Sequence, residues 1–125
     1  MAFRALVVRK DGDGPVTGAV EELNEDTLPQ DGEVLVEVEC SGLNFKDGLC
    51  MTGGGRLVRE YPHIPGVDMA GCAVESGDDR YKPGHRVILT GWRYGETWWG
   101  GYVPKSRVKA DCLVPMQAHL TSSQA

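Results

Sequence analysis

Glycine and proline set the limits on what this chain can fold into. Seventeen glycines and seven prolines are spread through 125 residues, and they divide the apolar content into short runs. Both residues weaken helix interiors, glycine through backbone entropy and proline through its missing N–H. Runs bounded this often read as strands joined by turns. Candidate strands are Phe3 to Val8, Val16 to Leu23, Glu33 to Gly42, Asp68 to Glu75 and Arg86 to Thr90, with shorter pieces near Tyr102 to Val108 and Cys112 to Val114.

The pattern inside these runs supports the reading. Val34, Val36 and Val38 fall on one face of a strand while Glu37 and Glu39 fall on the other, and Leu35 breaks the alternation, so part of the second face is expected to be buried. In Lys82-Pro-Gly-His85, Pro83 fixes φ and Gly84 can take the positive φ that a type II turn requires next. Only Phe45 to Met51 reads as a helix, with a further helix start at Thr121 or Ser122 where the sequence ends. The expected fold is mainly β, a partly open barrel with one or two short helices, in a single domain covering residues 1–125.

Composition excludes several classes. Thirteen Lys and Arg against eighteen Asp and Glu give a net charge of −5, with the two signs interleaved, which is a poor match to nucleic acid. No apolar stretch approaches the roughly 20 residues of a membrane span. The N-terminus alternates like a strand and lacks the apolar region and cleavage site of a secretory signal, so a cytoplasmic location is expected. Cys40, Cys50, Cys72 and Cys112 show no C-x-x-C spacing, and His63, His85 and His119 do not fall beside them at zinc-site intervals. Buried free thiols are the expected state.

Four segments carry a resemblance: Leu43-Asn-Phe-Lys-Asp47, Pro65-Gly-Val-Asp-Met-Ala-Gly71, Lys82-Pro-Gly-His-Arg-Val87 and Leu89-Thr-Gly-Trp-Arg-Tyr-Gly-Glu-Thr-Trp-Trp-Gly-Gly101. Together they resemble the medium-chain dehydrogenase/reductase superfamily in its quinone oxidoreductase branch, and most of all the acrylyl-CoA reductase group. The fourth segment is the most selective for that group. The resemblance implies a GroES-like barrel. In the zinc enzymes of the superfamily, a cysteine ligand stands where this chain has Asn44, and the histidine of a Gly-His-Glu motif stands at Val67. A valine cannot bind zinc, so the resemblance implies a zinc-free reductase that polarises its substrate by hydrogen bonds.

The same resemblance implies the catalytic-domain portion of an NADPH-dependent reductase of activated C=C bonds, with acrylyl-CoA or a similar enoyl thioester as substrate. NADPH would be bound mainly by a Rossmann domain that is not in this chain, since no G-x-G-x-x-G fingerprint occurs. The partners implied are a small molecule, a CoA thioester among the candidates, and a second copy in a homodimer of the full-length protein, with neither nucleic acid nor membrane. Two departures stand out: relatives tend to have tyrosine at Phe45, and their turn usually carries an acid at His85.

Each candidate residue has a structural reading beside the functional one. Asn44 would donate an amide N–H to substrate or nicotinamide, or cap the helix after it. Phe45 would present its ring to the cofactor, or pack in the core. Lys46 would place positive charge near a phosphate or enolate oxygen, while Asp47 would fix the Asn44 loop more than act in catalysis. Trp92 and Tyr94 would wall the substrate cleft, or cap the open barrel end with Trp98 and Trp99. Arg56, on the Gly53-Gly-Gly-Arg loop, would meet a CoA phosphate, or lie solvated. A quinone or enone reductase on the same scaffold and a non-catalytic barrel module are the rival functions.

Overall fold

The structure, a computed structural model, describes residues 2–125. Strands β1 (Ala2–Lys10) and β2 (Val16–Asn24) form an antiparallel two-stranded sheet. Strands β3 (Val34–Ser41), β4 (Asp68–Ser76), β5 (Arg86–Thr90), β6 (Lys105–Val108) and β7 (Leu113–Pro115) form a second sheet in the order β6-β3-β4-β5-β7, antiparallel throughout. Every strand expected from the sequence is present, and the chain is mainly β. The two sheets stay open and do not close on each other as a barrel.

Among the described residues there is one α-helix, α1 (Phe45–Thr52), which starts at the residue expected, and three short 3-10 turns. No helix forms at Thr121 or Ser122. The tail makes a turn in which Gln124 N–H donates to the Thr121 carbonyl at 3.1 Å, and Ser122 Oγ donates to Glu39 at 2.9 Å. At Lys82–His85, Gly84 has φ +94°, and His85 N–H closes the turn on the Lys82 carbonyl at 3.0 Å. His85 Nδ1 accepts from the Lys82 backbone N–H at 3.1 Å, so the imidazole takes an acceptor role that a carboxylate could also fill.

The larger core lies on the five-stranded sheet, around Val34, Val36, Met69, Val87, Leu89 and Tyr94. Full burial of a Val or Leu side chain stabilises by about 1.5–3 kcal/mol before entropy is counted. Leu35 is 1% exposed, so the break in alternation reflects complete burial on the second face of β3. A smaller core of Ala5, Val7, Ile64 and Val103 joins β1 to the loop before β4. A paired bridge between Val8 and His63 fixes that loop, with N–H to carbonyl distances of 2.8 and 3.0 Å. A register shift between Val38 and Cys40 bends the end of β3 just before the lead-in to α1. No helix among the described residues is long and apolar enough to cross a membrane.

Candidate active site

Two carboxylates build the site from behind. Asn44 is extended at the N-cap of α1, with φ −126° and ψ 161°. Three residues on, the Asp47 side chain returns to it, and Oδ2 accepts from the Asn44 backbone N–H at 2.9 Å. Asp47 Oδ1 accepts from the backbone N–H groups of Val67 at 2.9 Å and Gly66 at 3.2 Å. Asp47 is 2% exposed, so one buried charge satisfies three donors and ties α1 to the loop before β4. Asp68, at the start of β4, does the matching work from the other side: Oδ1 accepts from Gly42 N–H and Oδ2 from the Asn44 side-chain Nδ2, each at 2.9 Å.

A third loop is locked onto these two. The Gly95 carbonyl accepts from His63 Nε2 at 2.7 Å and from the Cys50 thiol of α1 at 3.3 Å. The acceptor is a carbonyl, so His63 carries its proton on Nε2. Burial holds the His63 pKa below its ordinary value, against the opposing pull of that hydrogen bond. Burial also pushes the Cys50 thiol up to about 11, with the Glu96 and Asp47 charges adding to it. Gly95 has φ +80°, and a Cβ there would lie 2.6 Å from the Gly66 backbone. A Cβ on Gly66, at φ +112°, would lie 2.6 Å from the Gly101 nitrogen, so the loops meet backbone to backbone.

These supports enclose an open cleft of about 660 Å³. Asn44, Phe45, Lys46, Val67, Trp92 and Glu96 line it, with Asp68, Arg93 and Tyr94. The sequence-derived candidates Asn44, Phe45, Lys46, Trp92 and Tyr94 are therefore brought together. Asp47 lies behind them as a support. Arg56 is not among the lining residues; it is exposed at the end of the 3-10 turn after α1, with φ +51°.

The structural readings divide in the same way. Phe45 is 83% exposed, so its ring is not core packing. Trp92 is 68% exposed and comes after Gly91 in a run of positive φ, with Trp92 at +56° and Arg93 at +57°. Such strain in non-glycine residues collects at functional sites. Tyr94 is a core residue: it is 2% exposed, and its hydroxyl shares a 2.7 Å hydrogen bond with Ser106. Burial raises its pKa. Trp98 donates from Nε1 to the Arg107 carbonyl at 2.9 Å and packs on the larger core, while Trp99 packs on the smaller one.

Sequence reasoning passed over Glu96. Its side chain is only 8% exposed, and Lys46 Nζ approaches Oε2 at 3.4 Å. An acid flanked by Gly95 in an aromatic-rich segment was the one local signal, but its partner is fifty positions away. Lys46 pairs across the cleft with Glu96 rather than with its neighbour Asp47. The cysteines are free, with Cys50 buried and the other three half-buried. Among the described residues, no three His, Cys, Asp or Glu side chains gather at metal-binding distance.

The chain matches the alcohol dehydrogenase GroES-like domain over residues 30–118. It is 55% identical to the acrylyl-CoA reductase AcuI of Ruegeria pomeroyi over 124 residues, covering 98% of this chain and 37% of that protein. It is 42% identical to the putative quinone oxidoreductase YhfP of Bacillus subtilis, with the same coverage of each. Among solved structures, the yhdH oxidoreductase of Salmonella enterica in complex with NADP superposes with a TM-score of 0.92 at 44% identity, covering 97% of this chain and 37% of that one. B. subtilis yhfP with NAD bound gives 0.91 at 41% identity, covering 97% and 36%. The chain thus spans little more than a third of the length of these relatives. It belongs to the medium-chain dehydrogenase/reductase superfamily, as a GroES-like domain of the alcohol dehydrogenase type.

Proposed function

We propose that this chain is the substrate-side catalytic domain of an NADPH-dependent, zinc-independent reductase of activated C=C bonds, acting on acrylyl-CoA or a similar enoyl thioester. The observation that carries the reading is the convergence of Asn44, Phe45 and Lys46 on one cleft, held by carboxylates that are themselves fully engaged. The 55% identity to an acrylyl-CoA reductase supports the substrate class, and the NADP in a similar structure supports the cofactor.

The residues present fit the nicotinamide end of such a cofactor. Phe45 offers an open aromatic face and Asn44 an amide beside it, while the chain has no glycine fingerprint for the pyrophosphate, which would fall to a separate dinucleotide-binding domain. NADPH, when bound, supplies a hydride to the β-carbon of the substrate. A zinc ion does not fit: Asn44 is a neutral amide, Val67 is apolar, and Asp68 already accepts two hydrogen bonds.

In the reaction, negative charge develops on the thioester carbonyl oxygen as hydride reaches the β-carbon, and a proton from solvent taken up at the α-carbon then collapses the enolate to the saturated thioester. One N–H of the Asn44 amide is committed to Asp68, which sets the plane of the amide and leaves its second N–H for a ligand. Lys46 places a cation at the same cleft, where preorganised charge stabilises an oxyanion without reorganising as it forms. Asp47 touches neither substrate nor cofactor in this scheme. It holds the Asn44 and Val67 backbones in register, so that the reacting groups meet at attack distance. Phe45 and Trp92 wall the cleft and limit water.

A quinone or enone reductase is the second reading, favoured by the similarity to YhfP. The test monitors NADPH loss with the full-length protein carrying this domain, offered acrylyl-CoA, a simple quinone or no acceptor. Turnover that depends on acrylyl-CoA, with kcat/KM at least tenfold above that for the quinone, is expected. The reverse order would favour the quinone reading, and oxidation with neither would end the reductase reading.

A further inference from the structure

Glu96 is a buried acid with an exposed partner. Its side chain is 8% exposed, whereas that of Lys46 is 60% exposed, and the two meet at 3.4 Å. No other side chain hydrogen-bonds to the Glu96 carboxylate among the described residues. A carboxylate withdrawn from water with a single ionic partner depends strongly on that partner, because burying an unpaired charge is costly. The cation, by contrast, has four rotatable carbons and a surface location, and gains little from an exposed ion pair of its own accord.

The two ends also differ in rigidity. Glu96 comes directly after Gly95, whose carbonyl is held by His63 and Cys50 and whose nitrogen donates to the Trp98 carbonyl at 2.8 Å. Glu96 N–H donates in turn to the Arg93 carbonyl at 3.0 Å. The carboxylate is therefore mounted on a fixed loop. It also forms a partition, since it alone lines both the cleft and a second cavity bounded by Arg59, Tyr61, His63, Thr97 and Trp99. Seen from the cleft, Glu96 is the fixed post and Lys46 the arm it holds.

We propose that Glu96 is a positioning residue for the reaction: its buried carboxylate holds the Lys46 ammonium over the cleft, where the cation meets the substrate oxygen. This rests on the reading of Lys46 as the oxyanion-stabilising cation. Without Glu96, the lysine chain would sample solvent and the cation would reach the oxygen only part of the time. The cost would fall on the chemical step rather than on binding.

The experiment is a double-mutant cycle in the full-length enzyme, with Glu96→Gln, Lys46→Met and the pair, assayed with acrylyl-CoA and NADPH. Glu96→Gln is expected to lower kcat by 10- to 100-fold with KM changed less than threefold. In the Lys46→Met background it should cost no more than a further twofold, and Glu96→Asp should recover part of the loss. A readout independent of turnover is the rate at which Lys46 is acetylated by a mild reagent, measured by mass spectrometry. That rate should rise at least threefold in Glu96→Gln, and it can be read on any variant that keeps its melting transition. Equal losses from Glu96→Gln with and without Lys46, or an unchanged acetylation rate, would overturn the proposal while leaving the role of Lys46 intact. Full activity in Lys46→Met would instead overturn the reading of Lys46, and this inference with it.

Discussion

Asn44 Nδ2 donates to Asp68 Oδ2 at 2.9 Å, across twenty-four positions of sequence. The amide that faces the cleft is therefore aimed by the first residue of β4 and does not turn freely at the head of its helix. On the function proposed above, Asn44→Ala in the full-length protein is expected to lower kcat/KM by roughly 10- to 1000-fold, from lost alignment and lost oxyanion stabilisation. Phe45→Tyr keeps the ring and should leave activity intact or improved. Melting curves separate the alternatives, because loss of the N-cap side chain costs about 1 kcal/mol by itself. Full activity in Asn44→Ala with only a lower Tm would make the residue a cap.

Asp47 should behave in the opposite way. Removing it leaves the N–H groups of Asn44, Gly66 and Val67 without their acceptor, at about 1–3 kcal/mol for each that stays buried and unpaired. Asp47→Ala is expected to lower Tm by more than about 5 °C. Asp47→Asn, which retains one acceptor, should lose less in kcat/KM than Asn44→Ala does. An unchanged Tm in Asp47→Ala would show that water replaces the carboxylate without cost.

The fold should also weaken as pH falls past the ordinary histidine range. Burial lowers the His63 pKa below its usual value of 6.5, so the unfolded chain takes up the proton first. Stability due to His63 is complete above 6.5 and is lost as pH drops from there through the folded-state pKa. Denaturant unfolding at pH values of about 7.5, 6.5 and 5.5 should show falling stability, and His63→Gln should flatten that part of the profile. Identical slopes for the two proteins would assign the pH dependence to other groups.

Much of the fold was legible because strands and turns are local. Proline and glycine at 83 and 84 announced a type II turn, and the structure has it. Alternation over Val34–Glu39 announced β3, and the reading of Asn44 as an N-cap announced the start of α1, whereas the return of Asp47 to the Asn44 backbone N–H came only with the structure. The site was only half legible. Trp92 and Tyr94 are two residues apart and look equivalent in sequence, yet one is exposed in a left-handed turn and the other is buried against Ser106. Arg56 was a candidate for the cleft with a solvated arginine as the alternative; it is exposed and is not among the lining residues. Glu96 gave little local sign, since what distinguishes it is burial and a lysine fifty positions away.

Cofactor and metal binding give a further check on the chain itself. With no glycine fingerprint at a helix N-terminus, these 125 residues should show no micromolar affinity for NADPH by titration calorimetry. Elemental analysis of the desalted protein should find zinc well below one per chain, given Asn44 and Val67 on the cleft. Stoichiometric zinc, lost on changing Cys40 or Cys72, would reverse that expectation.

The contact between Gly66 and Gly95 has a bearing on how such a site can diversify. Where two main chains touch, a larger residue at either position would push the loops apart instead of reshaping the wall. On the function proposed above, variation that alters substrate choice would fall on the side chains of the cleft wall rather than on this floor, with Phe45 and Trp92 the most exposed of them. A floor of this kind would let the wall change while the chassis stays the same.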